Sequence, residues 1–252
     1  MIDLSGKKAL ITGGSRGIGR ATVLLFARAG ADIAFNFQSR EDAALAVKAE
    51  VEALGRQCLA FQVDIAEENQ VHKMVEEVIH AFGRVDILVN NAGIWTDLEI
   101  GSGDSAAWKE TMAVNLDSVF YFTDAVVGQM KRNGQGWIIN VGSTAGIRGE
   151  AFHSHYAATK GALNALTKSW AVELAPFGIR VNLVAPGWVD TDMCSEVFSD
   201  PAFKESVRQS IPLKRIPPPE DIAGPILFLA SDLARHITGA IINVNGGSVL
   251  CG

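Results

Sequence analysis

Tyr156 and Lys160 stand four residues apart in a stretch with helical patterning, so their side chains share one face. Such a pair can move protons. A free phenol, with a pKa near ~10, is a poor base at neutral pH. An ammonium beside it favours the phenolate; a depression of two units corresponds to about 2.7 kcal/mol and poises the group as a general acid/base near working pH. Ser143 lies just past the apolar run 137–141, where its hydroxyl can hydrogen-bond a substrate oxygen on which charge develops. A second constellation, Thr12-Gly13-Gly14-Ser15-Arg16-Gly17-Ile18-Gly19, follows the first apolar run and opens a helical pattern. Glycines there permit a tight turn and let the backbone approach a pyrophosphate, to which the helix N-terminus offers free N–H groups and partial positive charge. The spacing is Gly-x-x-x-Gly-x-Gly and no Gly-Lys-Ser/Thr ends it, which excludes a kinase-like P-loop.

The elements that must position these residues alternate. Residues 9–11, 33–35, 58–63, 85–89 and 137–141 are short apolar runs that read as buried strands, followed later by 179–185 and 241–244. Between them lie amphipathic stretches. The clearest is 67–82, where Val71, Met74, Val75, Val78, Ile79 and Phe82 recur every three or four residues and Gly83 follows as a stop. Another opens at Ser39, with Asp42 three residues on as a capping-box-like pair, and closes at Gly55. Further helices are predicted over 156–175 and 221–230, and a long apolar one around Asn115. Strand–helix alternation with fully apolar strands implies an α/β fold, a doubly wound, Rossmann-like parallel sheet of about seven strands with helices on both faces. The chain 1–252 reads as one domain, and the irregular stretch 187–219 reads as an excursion of the kind that often forms a lid over a binding site.

The 252 residues carry 22 Lys and Arg against 28 Asp and Glu, with no basic block, which argues against nucleic acid or an anionic membrane as a partner. No apolar run has the length of a spanning helix, and the N-terminus lacks the order of a signal peptide. Cys58, Cys194 and Cys251 are too widely spaced for a disulfide framework or a Cys-x-x-Cys metal site, so a reduced, cytoplasmic location is expected. His153 and His155 flank Ser154, but no Cys, Asp or Glu lies at ligand spacing and no metal is expected. Ser143 lacks the Gly-x-Ser-x-Gly setting of a hydrolase nucleophile. Trp95, Phe152, His153, Trp188 and Met193 flank these motifs and, with Ser143, are the candidate substrate contacts.

Taken together, Thr12–Gly19, Asp64, Asn90-Asn91-Ala92-Gly93, Asn115, Ser143, Tyr156-x-x-x-Lys160, Pro186-Gly187 with Thr191, and Asn245-Gly246-Gly247 resemble the short-chain dehydrogenase/reductase superfamily in its compact single-domain branch. The match spans nearly the whole chain; Asn245 departs from the family's usual Asp. The resemblance implies a catalytic set of Asn115, Ser143, Tyr156 and Lys160, with Asn115 holding a water that links Lys160 to solvent and Lys160 hydrogen-bonding the nicotinamide ribose. It also implies a dinucleotide held by Gly13, Ser15, Arg16, Gly17, Ile18 and Gly19, by Phe37, Ser39 and Arg40, and by Asp64 and Ile65. Asn91, Ala92 and Gly93 would line its middle; Tyr156, Lys160, Pro186, Gly187, Val189 and Thr191 would hold the nicotinamide end.

An NAD-specific site usually places a carboxylate at the end of the second strand. Here that strand ends at Asn36-Phe37 with no acid, while Arg16, Ser39 and Arg40 can surround a 2′-phosphate, so NADP(H) is expected over NAD(H). The expected substrate is a small-molecule carbonyl or alcohol. The overall pattern is similar to 3-oxoacyl-acyl-carrier-protein reductases, which makes an acyl-carrier-protein- or CoA-bound 3-oxoacyl group the leading case. A general ketone or sugar-alcohol dehydrogenase is the alternative within the family. A non-catalytic NADP(H)-sensing protein is the alternative outside it, but such a protein would lack Tyr156, Lys160 or Ser143. The family resemblance also implies a homotetramer built through the helices holding Asn115 and Tyr156.

Overall fold

A computed structural model describes residues 2–250. The chain runs β1 (Lys8–Ile11), α1 (Gly17–Arg28), β2 (Asp32–Phe37), α2 (Glu41–Ala53), β3 (Cys58–Gln62), α3 (Glu68–Phe82), β4 (Ile87–Asn90), α4 (Ser105–Met112) and α5 (Ser118–Asn133). It continues with β5 (Gly136–Val141), α6 (Ala145–Arg148), α7 (Ser154–Leu174), β6 (Ile179–Pro186), α8 (Pro201–Ser210), α9 (Glu220–Leu229) and β7 (Ile241–Val244). The strands form one sheet in the order β3-β2-β1-β4-β5-β6-β7, and every adjacent pair is parallel. This is the doubly wound α/β sheet that the alternation of apolar runs predicts.

Period-two alternation splits the core between two faces. Ala9, Ile11, Ile33, Phe35, Val89 and Ile139 pack against α1, α2 and α9, whereas Leu10, Ala34, Leu88 and Ile138 pack against α3, α5 and α7. Both faces are apolar because both are covered. Gly83 ends α3 in the left-handed region (φ 79°), as its position predicts.

The chain departs from the sequence expectations in three places. Helix α2 begins at Glu41, and its cap position is Arg40, which makes no capping hydrogen bond to the helix backbone, so the Ser39/Asp42 capping box does not form. The long helix around Asn115 is split into α4 and α5 by a π-helical turn, Ala113–Asp117. The stretch 187–219 is not irregular: it holds two 3₁₀ turns and α8, whose first turn is capped by Asp200 Oδ1 accepting from Ala202 N. Helix α8 buries only Val207 along its own length, which leaves too weak an apolar stripe to read as a helix. Cys58 and Cys194 are buried free thiols, and Cys251 lies outside the described residues. Among the described residues, no helix is long and apolar enough to cross a membrane.

A buried amide chain fixes α7 to the sheet. Asn90 Nδ2 in β4 donates to Asn140 Oδ1 in β5 (2.9 Å), and Asn140 Nδ2 donates to Thr167 Oγ1 in α7 (2.9 Å). Replacing Asn140 by alanine removes the partner on both sides, and a buried polar group left unmatched costs about 1–3 kcal/mol. Urea unfolding of Asn140→Ala is expected to show that loss as a lower midpoint at unchanged slope.

Candidate active site

Helix α7 carries Tyr156 in its first turn and Lys160 one turn on. The Lys160 ammonium is drawn inside, 4% exposed, where Nζ donates to Val141 O at the carboxyl end of β5 (2.9 Å) and lies 5.6 Å from the centre of the Tyr156 ring. Ser143, two residues past β5, lines the same cleft as Tyr156 and hydrogen-bonds its phenol. Its Oγ also accepts from Ala145 N (3.1 Å), which fixes the hydroxyl at the start of α6.

Burial governs both titrating groups. It pushes the Tyr156 phenol up to about 12; the Ser143 hydrogen bond pulls it back, and the charges of Glu150 and Cys194 add to the rise. Burial also lowers Lys160 to about 8. The sequence argument expected the ammonium, together with the positive ring of an oxidised nicotinamide, to make the phenol acidic. In the protein alone the cost of placing charge in a low-dielectric site exceeds that attraction for either group.

Asn115 is fully buried in the π-helical turn. Its Oδ1 accepts from Ile94 N and its Nδ2 donates to Ile94 O, each at 2.8 Å, so the amide clamps the segment that follows β4. A Cβ on Gly93 would stand 3.1 Å from Asn115 Oδ1 and 3.7 Å from Lys160 Nζ, which places the amide and the ammonium around one point of the backbone.

The expected cofactor residues come together from successive strand ends. The loop residues Gly13, Ser15, Arg16, Gly17 and Ile18 line the cleft, as do Phe37, Ser39 and Arg40 beyond β2 and Asp64 and Ile65 beyond β3. Asn91, Ala92 and Gly93 follow β4, and Pro186, Gly187, Val189 and Thr191 follow β6. Gly19 is the exception. It is absent from the cleft wall and packs on the loop itself, since a Cβ there would lie 2.0 Å from Gly13 O. The loop is fastened on two sides. Asn36 Oδ1 accepts from Gly13 N (3.0 Å), while Thr12 Oγ1 accepts from Asn91 N and Ala92 N (2.9 Å each).

This loop fits a dinucleotide pyrophosphate. Gly17 starts α1 with φ +53°, and the α1 N-terminus has no side-chain cap, so its amide groups are available to an anion. Arg16 and Arg40 are largely exposed at the cleft. Arg16 Nη1 stands 3.8 Å from Asp192 Oδ2 and Arg40 Nε 3.5 Å from Asp42 Oδ1, contacts loose enough for either guanidinium to turn to a phosphate.

Of the expected substrate contacts, Trp95, Trp188 and Met193 line the cleft with Ser143. Phe152 does not: with φ +64° it turns outward, 65% exposed. His153 is buried behind Trp95, its ring 4.3 Å from the indole. Sequence reasoning missed the cleft residues Thr144, Arg148, Glu150 and Cys194. It read Asn36 only as a missing acid, although a polar residue inside a buried strand was itself a signal that something docks there.

The family model described as enoyl-(acyl carrier protein) reductase matches residues 13–248. The 3-oxoacyl-[acyl-carrier-protein] reductase FabG of Staphylococcus epidermidis is 43% identical, covering 96% of this chain and 98% of its own. That of Thermotoga maritima is 41% identical, covering 98% and 99%. A solved structure from Beutenbergia cavernae, described as an NAD(P)-dependent gluconate 5-dehydrogenase with NADP bound at low occupancy, superposes with a TM-score of 0.92. It is 34% identical, covering 98% of each chain.

A methyl at Gly19 collides with Gly13 O and so displaces the phosphate-facing loop without touching Tyr156. Gly19→Ala is therefore expected to weaken NADPH binding by about tenfold or more, read by quenching of protein fluorescence, since this loop carries a pyrophosphate through close backbone approach.

Proposed function

The chain belongs to the short-chain dehydrogenase/reductase family and is a nicotinamide-dependent oxidoreductase that interconverts a ketone and a secondary alcohol; we propose that it prefers NADP(H) and reduces a 3-oxoacyl thioester. The observation that carries the catalytic assignment is the meeting of Ser143, Tyr156 and buried Lys160 at the strand ends beside an anion-ready glycine loop. When bound, a nicotinamide held by these residues would supply the hydride chemistry.

The protein's own residues do the rest. Ser143 Oγ and the Tyr156 hydroxyl converge on the substrate oxygen, orienting the carbonyl and stabilising charge on it. Tyr156, held protonated by burial, donates its proton in reduction and takes one back in oxidation. Lys160 keeps two N–H groups beyond the bond to Val141 O, for the cofactor ribose and for a proton relay. Asn115 completes that relay through the lone pair and N–H that Ile94 does not use. Gly13, Ser15, Gly17 and Ile18 hold the pyrophosphate with Gly19 as their support. Asp64 and Ile65 flank the adenine, Asn91–Gly93 the middle, and Pro186, Gly187, Val189 and Thr191 the nicotinamide end. Arg16, Ser39 and Arg40 take the 2′-phosphate.

The excursion 187–219 acts as a lid of the single domain 1–252. Support for this comes from Thr191, whose methyl lies 3.5 Å from where a Cβ on Gly17 would stand, and from the Arg16–Asp192 pair. The exposed Phe120 on α5 and Val172 on α7 support a homotetramer formed through those helices, in a cytoplasmic setting. Lys131, near the end of α5 and over the Phe177 ring (4.8 Å), lies beyond the far end of α7 from Tyr156. A CoA-bound substrate therefore stands beside a carrier-bound one in the test.

Acetoacetyl groups on CoA and on carrier protein are expected to give a kcat/KM about tenfold or more above free ketones and polyols, and parity would favour a general ketone or sugar-alcohol dehydrogenase. Tyr156→Phe is expected to abolish turnover while retaining NADPH affinity, and substantial residual activity would remove the phenol from the mechanism. Arg16→Ala should weaken NADP(H) selectively, by about tenfold for one lost charged phosphate contact, with NAD(H) unchanged.

A further inference from the structure

The substrate side of the cleft is walled by two indoles, and each is held by a different part of the chain. Trp188 belongs to the lid, where Phe198 and Phe203 pack on it at 5.5 and 5.9 Å between centres. Trp95 follows β4 and meets Trp188 edge to face at 5.8 Å. Its other ring contact is His153, 4.3 Å away and tilted by 32°. His153 is 8% exposed and anchored: Nδ1 donates to Thr96 O (2.8 Å), and Nε2 faces Asp97 Oδ1 at 3.3 Å. Two further bonds close the same seam. Leu98 N donates to Phe152 O, and Thr96 Oγ1 bonds His155 Nε2 (3.0 Å). Residues 95–98 are thus fastened to the segment that opens α7, three residues before Tyr156.

We propose that His153 is a positioning residue for substrate specificity: it fixes Trp95 as the wall on which the apolar or aryl substituent next to the reacting carbonyl packs. The proposal rests on the ketone reductase reading above. Trp188 is carried by the excursion and backed by Phe198 and Phe203, whereas Trp95 is backed by the segment that opens α7, which sets its distance from Tyr156. His153 provides that backing, because its ring is tied through Nδ1 to Thr96 O, with Nε2 beside Asp97, in the very segment that carries Trp95. It touches no reacting atom and acts through Trp95.

The test compares NADPH-dependent reduction of ethyl acetoacetate (a methyl ketone) and ethyl benzoylacetate (a phenyl ketone) by the full-length protein, His153→Ala and His153→Gln. In His153→Ala, kcat/KM for the phenyl ketone is expected to fall about tenfold further than for the methyl ketone, the loss of one aromatic contact appearing in KM. NADPH affinity stays unchanged. His153→Gln, whose amide can still donate to Thr96 O and cover the indole, restores most of the difference. An equal loss on both ketones, or none, would overturn the proposal. Failure of the parent protein to reduce either ketone refutes the reductase reading instead. Positioning is then decided by 5-fluorotryptophan NMR on the five tryptophans, the Trp95 signal being assigned by its loss in Trp95→Phe. That signal must shift and broaden in His153→Ala and recover in His153→Gln; an unmoved signal would overturn the proposal.

Discussion

A largely buried amine beside a buried phenol is the constraint on which this site depends. Lys160 is held inside by one hydrogen bond to the last carbonyl of β5, and it sits one helical turn from a phenol that burial also disfavours as an anion. Each group resists its charged form, so the pair is balanced to respond when charge arrives: a positive ring beside the phenol, or negative charge growing on a substrate oxygen. Much of the fold serves to hold that pair. The Asn90–Asn140–Thr167 chain pins α7 to two central strands, and Asn115 clamps the backbone that passes the ammonium.

The sheet order explains why the glycine loop and the Ser143–Tyr156–Lys160 group share one cleft. The chain crosses from β3 at one edge back past β1 to β4, so the loops after β1 and β4 part toward opposite faces and leave a crevice at the strand ends. Thr12 and Asn91 bridge that crevice at its base through side-chain and backbone bonds, which sets the spacing of its two sides. The excursion 187–219, which we propose is a lid, joins from the β6 side, where Asp192 reaches Arg16 and Trp188 reaches Trp95. One excursion therefore touches both the phosphate-facing and the substrate-facing ends.

Sequence alone made the strands legible because each is apolar on both faces, and it made α3 legible because its stripe is unbroken and Gly83 stops it. It hid α8, which turns one buried residue to the core, and the π-helical turn, which changes hydrogen bonding without disturbing the apolar spacing. That Tyr156, Lys160, Ser143 and the glycine loop meet in one cleft was legible because the proposed chemistry demands fixed residue types at fixed spacing. Phe152 was misplaced because proximity in sequence to Tyr156 says nothing of direction, and a positive φ turns it outward. His153 reaches the site only through Trp95, a contact between residues 58 positions apart that no local pattern encodes. Spacing likewise reveals the charged neighbour of Tyr156 and not the dielectric around it, which in the protein alone holds the phenol above its usual value.

The central claim is that burial makes Tyr156 a weak acid until cofactor charge offsets it. With two tyrosines in the chain, Tyr121→Phe leaves Tyr156 as the only phenol, and phenolate absorbance can be titrated directly. Without cofactor the phenol should remain protonated past about pH 11, and with NADP⁺ its ionisation should move down by about two units or more. Ionisation near ~10 in both samples, as for a free phenol, would contradict the account.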